Sequence, residues 1–159
     1  LSQAERDEPG GPSPSRLRTG NHVTGMTPKM LEGIQRWDTA TLVQALKQNE
    51  RPVVIDAAAF GPVIPSALNL IHSGLAFEDA QQESAYAERF RQMLLAAAPN
   101  LNQPVVFYCA SSACWLSVNA AMRARQLGYT QVIWYRGGMA AWTQAGLPTV
   151  GRVPVAVLH

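Results

Sequence analysis

The chain has 159 residues, 47% hydrophobic and 15% charged, which is one ordinary domain with ample apolar material for a core. Its net charge of +2 is unevenly spread: residues 1–88 carry 7 Lys/Arg and 11 Asp/Glu, and residues 89–159 carry 6 Arg and no acid. Scattered arginines are too sparse for a nucleic-acid surface, no apolar run reaches the ~20 residues needed to span a membrane, and 2 cysteines exclude both a disulfide framework and, by themselves, a structural zinc site.

Residues 1–30, with AERDEPGGPSPSRLRTG, show no apolar period and read as an extended arm or tether ahead of a domain spanning 31–159. The chain starts without Met and without a basic-then-apolar leader, so it reads as a processed or trimmed product. DTATLVQALKQ (38–48) opens on an Asp or Thr cap, and Leu42, Val43 and Leu46 give a short amphipathic helix. PVVIDAAAF (52–60) is a brief apolar run ending at Asp56, as a buried parallel strand does. GPVIPSALNLI (61–71) is a turn and a second apolar run. ESAYAERFRQMLLAAA (83–98) has the helical period, with Tyr86, Phe90, Leu94 and Ala97 on one face. QPVVFYC (103–109) is the next strand. CWLSVNAAMRARQLG (114–128) is a helix with Leu116, Ala120, Ala124 and Leu127 in line and Gly128 as its stop. YTQVIWYRGG (129–138) is a strand and a glycine turn, and MAAWTQAG (139–146) is a short helix. Strands alternate with helices, which argues for an α/β domain with a mainly parallel central sheet and helices on both faces.

Both cysteines lie in VVFYCASSACWLS (105–117). Cys109 falls at the carboxyl end of a strand and just before a helix, the place where open α/β sheets bind ligands. The loop that follows, Ala110, Ser111, Ser112, Ala113, Cys114 and Trp115, is built mainly of small residues whose N–H groups can curl around the sulfur. The next helix turns its positive end toward it. An acid-free half of the chain favours an anion there as well. These features point to Cys109 as a nucleophile that acts as the thiolate; a buried, inert cysteine is the competing reading. Cys114 admits three roles: a packing residue beside Trp115, a resolving thiol that attacks a Cys109 persulfide, or a disulfide partner. Trp115, Trp134, Tyr135 and Trp142 read as pocket walls or core, Trp142 as core. Asn119, inside a helix, reads as a support that bonds backbone near the loop. His22, His72 and His159 show no ligand spacing and read as ordinary histidines.

The order of motifs in PVVFYCASSACWLSVNAAMRARQLGYTQVIWYRGGMAAWTQAGLPTV resembles the second half of a rhodanese domain. There a Cys-headed loop (Cys109), Gly-Tyr (Gly128, Tyr129), Gly-Gly (Gly137, Gly138), a Trp-bearing helix (Trp142) and Gly-Leu-Pro (Gly146, Leu147, Pro148) follow in turn. VVIDAAAF, with Asp56, and VIPSALNL resemble the first half. The resemblance covers about residues 37–150. Within the family the chain is most similar to the CXXCW-motif proteins associated with pyrroloquinoline-quinone-dependent catabolism. That resemblance implies an exported, periplasmic protein in an oxidising compartment, with an exported quinoprotein or cytochrome as partner.

The chain departs from the family pattern in several places. The loop has no Arg or Lys. The Arg that usually follows the first-half Asp is replaced by Ala57 and Ala58. The Gly-Ala of the entry motif reads Ser66-Ala67. The interval from Cys109 to Gly128 is longer than usual, and 4 residues separate the cysteines where the CXXCW branch has fewer. A loop without a basic side chain should bind a dianion such as thiosulfate weakly. Arg136, at the end of the neighbouring strand, is either its replacement or a solvated strand-end charge. Asp56 and Arg136 are expected to support the site.

The expected activity is a sulfurtransferase in which Cys109 takes sulfane sulfur from a small donor as a persulfide and yields it to a thiol or cyanide-like acceptor. No metal or organic cofactor is expected. The alternative is a non-catalytic or thiol-redox accessory module, for which the lost loop Arg would be the trace. Phosphatase or arsenate reductase chemistry would need that Arg.

Overall fold

A computed structural model describes residues 2–20, 23–152 and 156–157. The positions His22 and His159 lie outside the described residues. The elements are α1 (Ser2–Asp7), β1 (Gln35–Trp37), α2 (Thr39–Leu46), β2 (Val53–Asp56), β3 (Leu68–Ile71), α3 (Ala80–Ala97), β4 (Val105–Tyr108), α4 (Leu116–Gln126), β5 (Val132–Tyr135), α5 (Gly138–Gln144) and β6 (Ala156–Val157). The strands form one sheet in the order β1-β5-β4-β2-β3-β6, and every described pair is parallel.

Alternation along the strands sorts the core into two layers. Val105, Phe107, Val132 and Trp134 point toward α3 and α4, where Phe90, Leu94, Val118, Ala121 and Ala124 meet them. Val106, Tyr108, Ile133 and Tyr135 point to the other face, against Leu42 of α2 and Met139 and Trp142 of α5. Both faces being covered explains why β4 and β5 read as unbroken apolar runs. Phe107 and Phe90 are fully buried, so truncating either to Ala costs about 3–5 kcal/mol.

The expected strands and helices of residues 38–146 all form, with shifted ends. Asp38 caps α2 by accepting from Thr41 N at 2.9 Å. Asp79 caps α3 in the same way from Gln82 N. That cap starts α3 before the predicted position, because Ala80-Gln81-Gln82 carries no apolar period to reveal it. Ala98, not Ala97, closes the buried face of α3. β1 escaped the sequence reading. It is three residues long, borders only β5, and none of its residues is fully buried.

α1 gives the start of the chain regular structure, and residues 8–20 and 23–29 run across the domain instead of standing off it: Gly11 N donates to Thr27 O at 3.1 Å, Lys29 N to Gly11 O at 3.0 Å and Gly20 N to Ala76 O at 3.2 Å. Thr27 is fully buried. Among the described residues no helix is long and apolar enough to cross a membrane.

Candidate active site

The middle of the sheet positions the site. β4 is flanked by β5 and β2, and its carboxyl end delivers Cys109, which is 2% exposed. The loop 110–115 then leads into α4, whose N-cap position, Trp115, supplies no side-chain hydrogen bond. Ser111 organises the turn. Its hydroxyl accepts from Ala113 N at 3.1 Å and its carbonyl from Cys114 N at 3.2 Å. α5 fastens the near side: Met139 N donates to Cys109 O at 3.0 Å and Ala140 N to Ala110 O at 2.9 Å. Gly138 makes this approach possible. Its φ is +60°, and a Cβ there would stand 2.2 Å from Cys109 O, so only glycine fits.

Cys109 and Cys114 are joined by a disulfide, with Cα atoms 6.1 Å apart. Of the three roles open to Cys114, this geometry realises the disulfide partner. Cys114 is half-buried, the less buried residue of the pair.

The N-terminal segment covers the far side of the loop. Gly25 N donates to Ala113 O at 2.8 Å, Trp115 N donates to Val23 O at 2.7 Å, and Thr24 bridges Cys114 in antiparallel fashion. Thr27 Oγ1 donates to Ser112 O at 2.5 Å. Arg18 lies over the Trp115 ring, 4.6 Å from its centroid, a cation–π contact. The Ser112 hydroxyl donates to the Glu8 carboxylate.

Arg136 does not reach into the loop. It is buried, and its Nε donates to Thr27 Oγ1 at 3.0 Å while Nη2 donates to Pro9 O at 2.7 Å and Thr27 O at 3.3 Å. Burial pushes its pKa down from the usual arginine value, and nearby Glu8 opposes the shift. Arg136 therefore acts on the loop through Thr27, in the relay Arg136–Thr27–Ser112. It is neither a cradle cation nor a solvated charge. The positive field expected of residues 89–159 is reduced for the same reason. Arg136 and Arg123 are buried, Arg123 pairs with Glu83, and Glu8 from the acidic half lies beside the loop.

Asp56 closes β2 beside Tyr108, opposite it in register. It is fully buried. Its carboxylate accepts from Tyr108 OH at 2.7 Å, Ala58 N at 2.7 Å and Arg152 Nη2 at 3.2 Å. Tyr108 OH in turn accepts from Ile64 N at 3.0 Å. Burial raises the Asp56 pKa above the ordinary aspartate value, and Tyr108, Arg152 and Ala58 N–H pull it back. Asp56 is thus hydrogen-bonded to Tyr108, the residue before Cys109.

Arg152 supplies what Ala57 and Ala58 lack. It reaches back from the C-terminal segment to pair with Asp56, and it donates to Ala58 O, Phe60 O and Gly61 O at 3.0 Å each, clamping the loop after β2. Sequence reasoning missed Arg152, Thr27, Glu8 and Tyr108. The one available signal was an Asp56 deprived of its usual neighbouring Arg.

Asn119 bonds backbone as expected, but that of the arm and a turn rather than the loop. Its amide donates to Arg18 O and Gly74 O, both at 2.8 Å, and it accepts from Arg18 N at 2.9 Å. Trp134, Tyr135 and Trp142 are core residues, with Trp134 Nε1 bonded to Ser117 and Trp142 Nε1 to Pro148 O. An open pocket of about 270 Å³ lies against the loop between α1 and α5, bordered by Glu5, Glu8, Ser112, Gly137 and Ala140.

The sheet is parallel, and its central strand β4 ends in a Cys-headed loop that leads into α4. The family model for the rhodanese-like domain matches residues 39–145, and the chain belongs to that family. No curated protein matches the chain. By structure it is similar to an EanB variant in complex with hercynine, at a TM-score of 0.57 and 17% identity over 75% of this chain and 32% of that chain. It is also similar to the polysulfide-sulfur transferase homodimer from Wolinella succinogenes, with a TM-score of 0.52 and 18% identity over 76% and 80% of the two chains. A third similar structure is the Alr3790 protein from Anabaena sp., with a TM-score of 0.54 and 20% identity over 74% and 82%. The chain spans about a third of the EanB chain it matches. At these identities the likeness is one of fold.

Proposed function

We propose that the protein is a sulfurtransferase that carries sulfane sulfur as a persulfide on Cys109. The observation that carries this reading is the place of Cys109: buried at the carboxyl end of the central strand, one loop ahead of the α4 N-terminus. There the helix dipole favours a thiolate, and then a persulfide anion. The fold likeness to a polysulfide-sulfur transferase supports the reading. So does an EanB structure with ergothioneine covalently linked with a persulfide cysteine.

The donor is an organic polysulfide or persulfide, whose sulfur end carries at most one charge. A dianion such as thiosulfate would meet no loop cation, and it would meet the Glu8 carboxylate at Ser112. Glu8→Gln should therefore raise the rate with thiosulfate about tenfold at low salt, less at high salt, and leave the rate with an uncharged sulfane-sulfur donor unchanged. Equal effects on both donors would contradict this assignment.

The acceptor is a thiol or a cyanide-like nucleophile. A cysteine pair that bonds in the fold suits an oxidising compartment, in keeping with the periplasmic, CXXCW-type reading and an exported quinoprotein or cytochrome as partner. Turnover of polysulfide and cyanide to thiocyanate tests the chemistry. Cys114→Ser, which leaves Cys109 free, should form thiocyanate, and Cys109→Ser should not. Equal turnover by the two variants would contradict the reading.

A further inference from the structure

We infer that Cys114 is the built-in acceptor of the Cys109 persulfide, so that the protein reduces sulfane sulfur to sulfide. This rests on the sulfur loading at Cys109 proposed above. Three observations carry it further. The fold holds the two sulfurs within bonding reach, as their disulfide demonstrates. The loop between them is fastened on both sides, by α5 at Cys109 and Ala110 and by the N-terminal segment at Ser112, Ala113 and Cys114, so the approach is fixed by the native structure. Finally, the two cysteines differ in burial: Cys109 is 2% exposed, whereas Cys114 is half-buried.

A persulfide formed on Cys109 sits beside an internal thiol. Well-oriented intramolecular reactions correspond to effective concentrations of about 10⁵ M or more, far above any external acceptor. The Cys114 thiolate attacks Cys109 Sγ. The bond from Cys109 Sγ to the outer sulfur breaks, and its electron pair leaves with that sulfur as hydrosulfide. The Cys109–Cys114 bond forms. Over the whole step one organic persulfide and two protein thiols give one thiol, one hydrogen sulfide and the disulfide. The sulfane sulfur is reduced by two electrons and the cysteine pair is oxidised by two.

The pair is restored by a dithiol reductant, and the difference in burial sets the direction. The reductant attacks Sγ of the less buried Cys114, and Cys109 leaves as the thiolate that the α4 N-terminus stabilises. The next persulfide then meets a Cys109 already charged for attack.

The test uses the reduced, desalted protein with one equivalent of glutathione persulfide under anaerobic conditions and without added thiol. Sulfide, free thiols and intact mass are read together. The wild type should release one sulfide per chain, lose both thiols and end two hydrogens lighter. Cys114→Ser should instead retain one extra sulfur and release sulfide at least about a hundredfold more slowly. Cys114→Ala should behave as Cys114→Ser does, and the native circular dichroism of both variants ties the change to the thiol rather than to folding. A wild type that keeps the extra sulfur with Cys114 still free would overturn the inference and leave loading intact. Disulfide formation without sulfide, or equal sulfide release by Cys109→Ser, would also overturn it. A Cys114→Ser protein that takes up no sulfur would instead sink the loading reading beneath it.

Discussion

At the scale of single residues, the site rests on polar groups that sequence spacing does not bring together. Asp56 and Arg152 are separated by 96 positions, yet they form a pair whose side chains are 0% and 11% exposed. Removing one partner of such a pair leaves the other buried without compensation, so Arg152→Met should cost about 3–5 kcal/mol at neutral pH. The pH dependence has a definite sign. Burial holds the Asp56 pKa above its unfolded value, so the folded state binds this proton more tightly. Its contribution to stability is greatest in acid, falls as pH rises through the raised pKa and is flat above it. In Arg152→Met the raised value climbs further, and the cost of the substitution shrinks as Asp56 becomes protonated. Thermal melts of both proteins across the acid range check this. A constant difference in stability at all pH values would contradict the pairing.

At the scale of elements, α2, β2, β4, α4, β5 and α5 were legible because burial writes its period into the sequence. Strands covered on both faces need unbroken apolar runs such as Val105–Tyr108, and helices covered on one face need the spacing seen at Ala120 and Ala124. The place of Cys109 in the fold was legible as well, because a strand end before a helix is a position that local pattern reveals. The path of the N-terminal segment was not. Its hold on the loop depends on backbone hydrogen bonds and on contacts such as Arg136 to Thr27, 109 positions apart, which leave no local pattern. Thr27→Val cuts the Arg136–Thr27–Ser112 relay at its middle. If it lowers the cost of local opening by about 1.4 kcal/mol, alkylation of Cys109 in the reduced protein should quicken about tenfold. An unchanged alkylation rate would show that the segment does not guard the loop.

At the scale of the whole molecule, a rhodanese-like domain is crossed by its own N-terminal segment and clamped by its C-terminal Arg152. The cysteine pair at its centre links stability to redox state. The disulfide closes a sequence separation of 5, a short loop for which chain entropy contributes about 2 kcal/mol. Reduction, or Cys114→Ser, should therefore lower Tm by roughly 4–8 °C for a domain of this size. Calorimetry with and without a dithiol reads this directly, and an unchanged Tm would mean that strain in the bonded loop cancels the gain.

Whether sulfur reaches Cys109 is tested most directly by intact mass spectrometry of reduced Cys114→Ser before and after polysulfide. The predicted result is the gain of one sulfur atom, removed by cyanide and absent from Cys109→Ser. No gain in mass, or the same gain in Cys109→Ser, would contradict the assignment of Cys109 as the sulfur carrier.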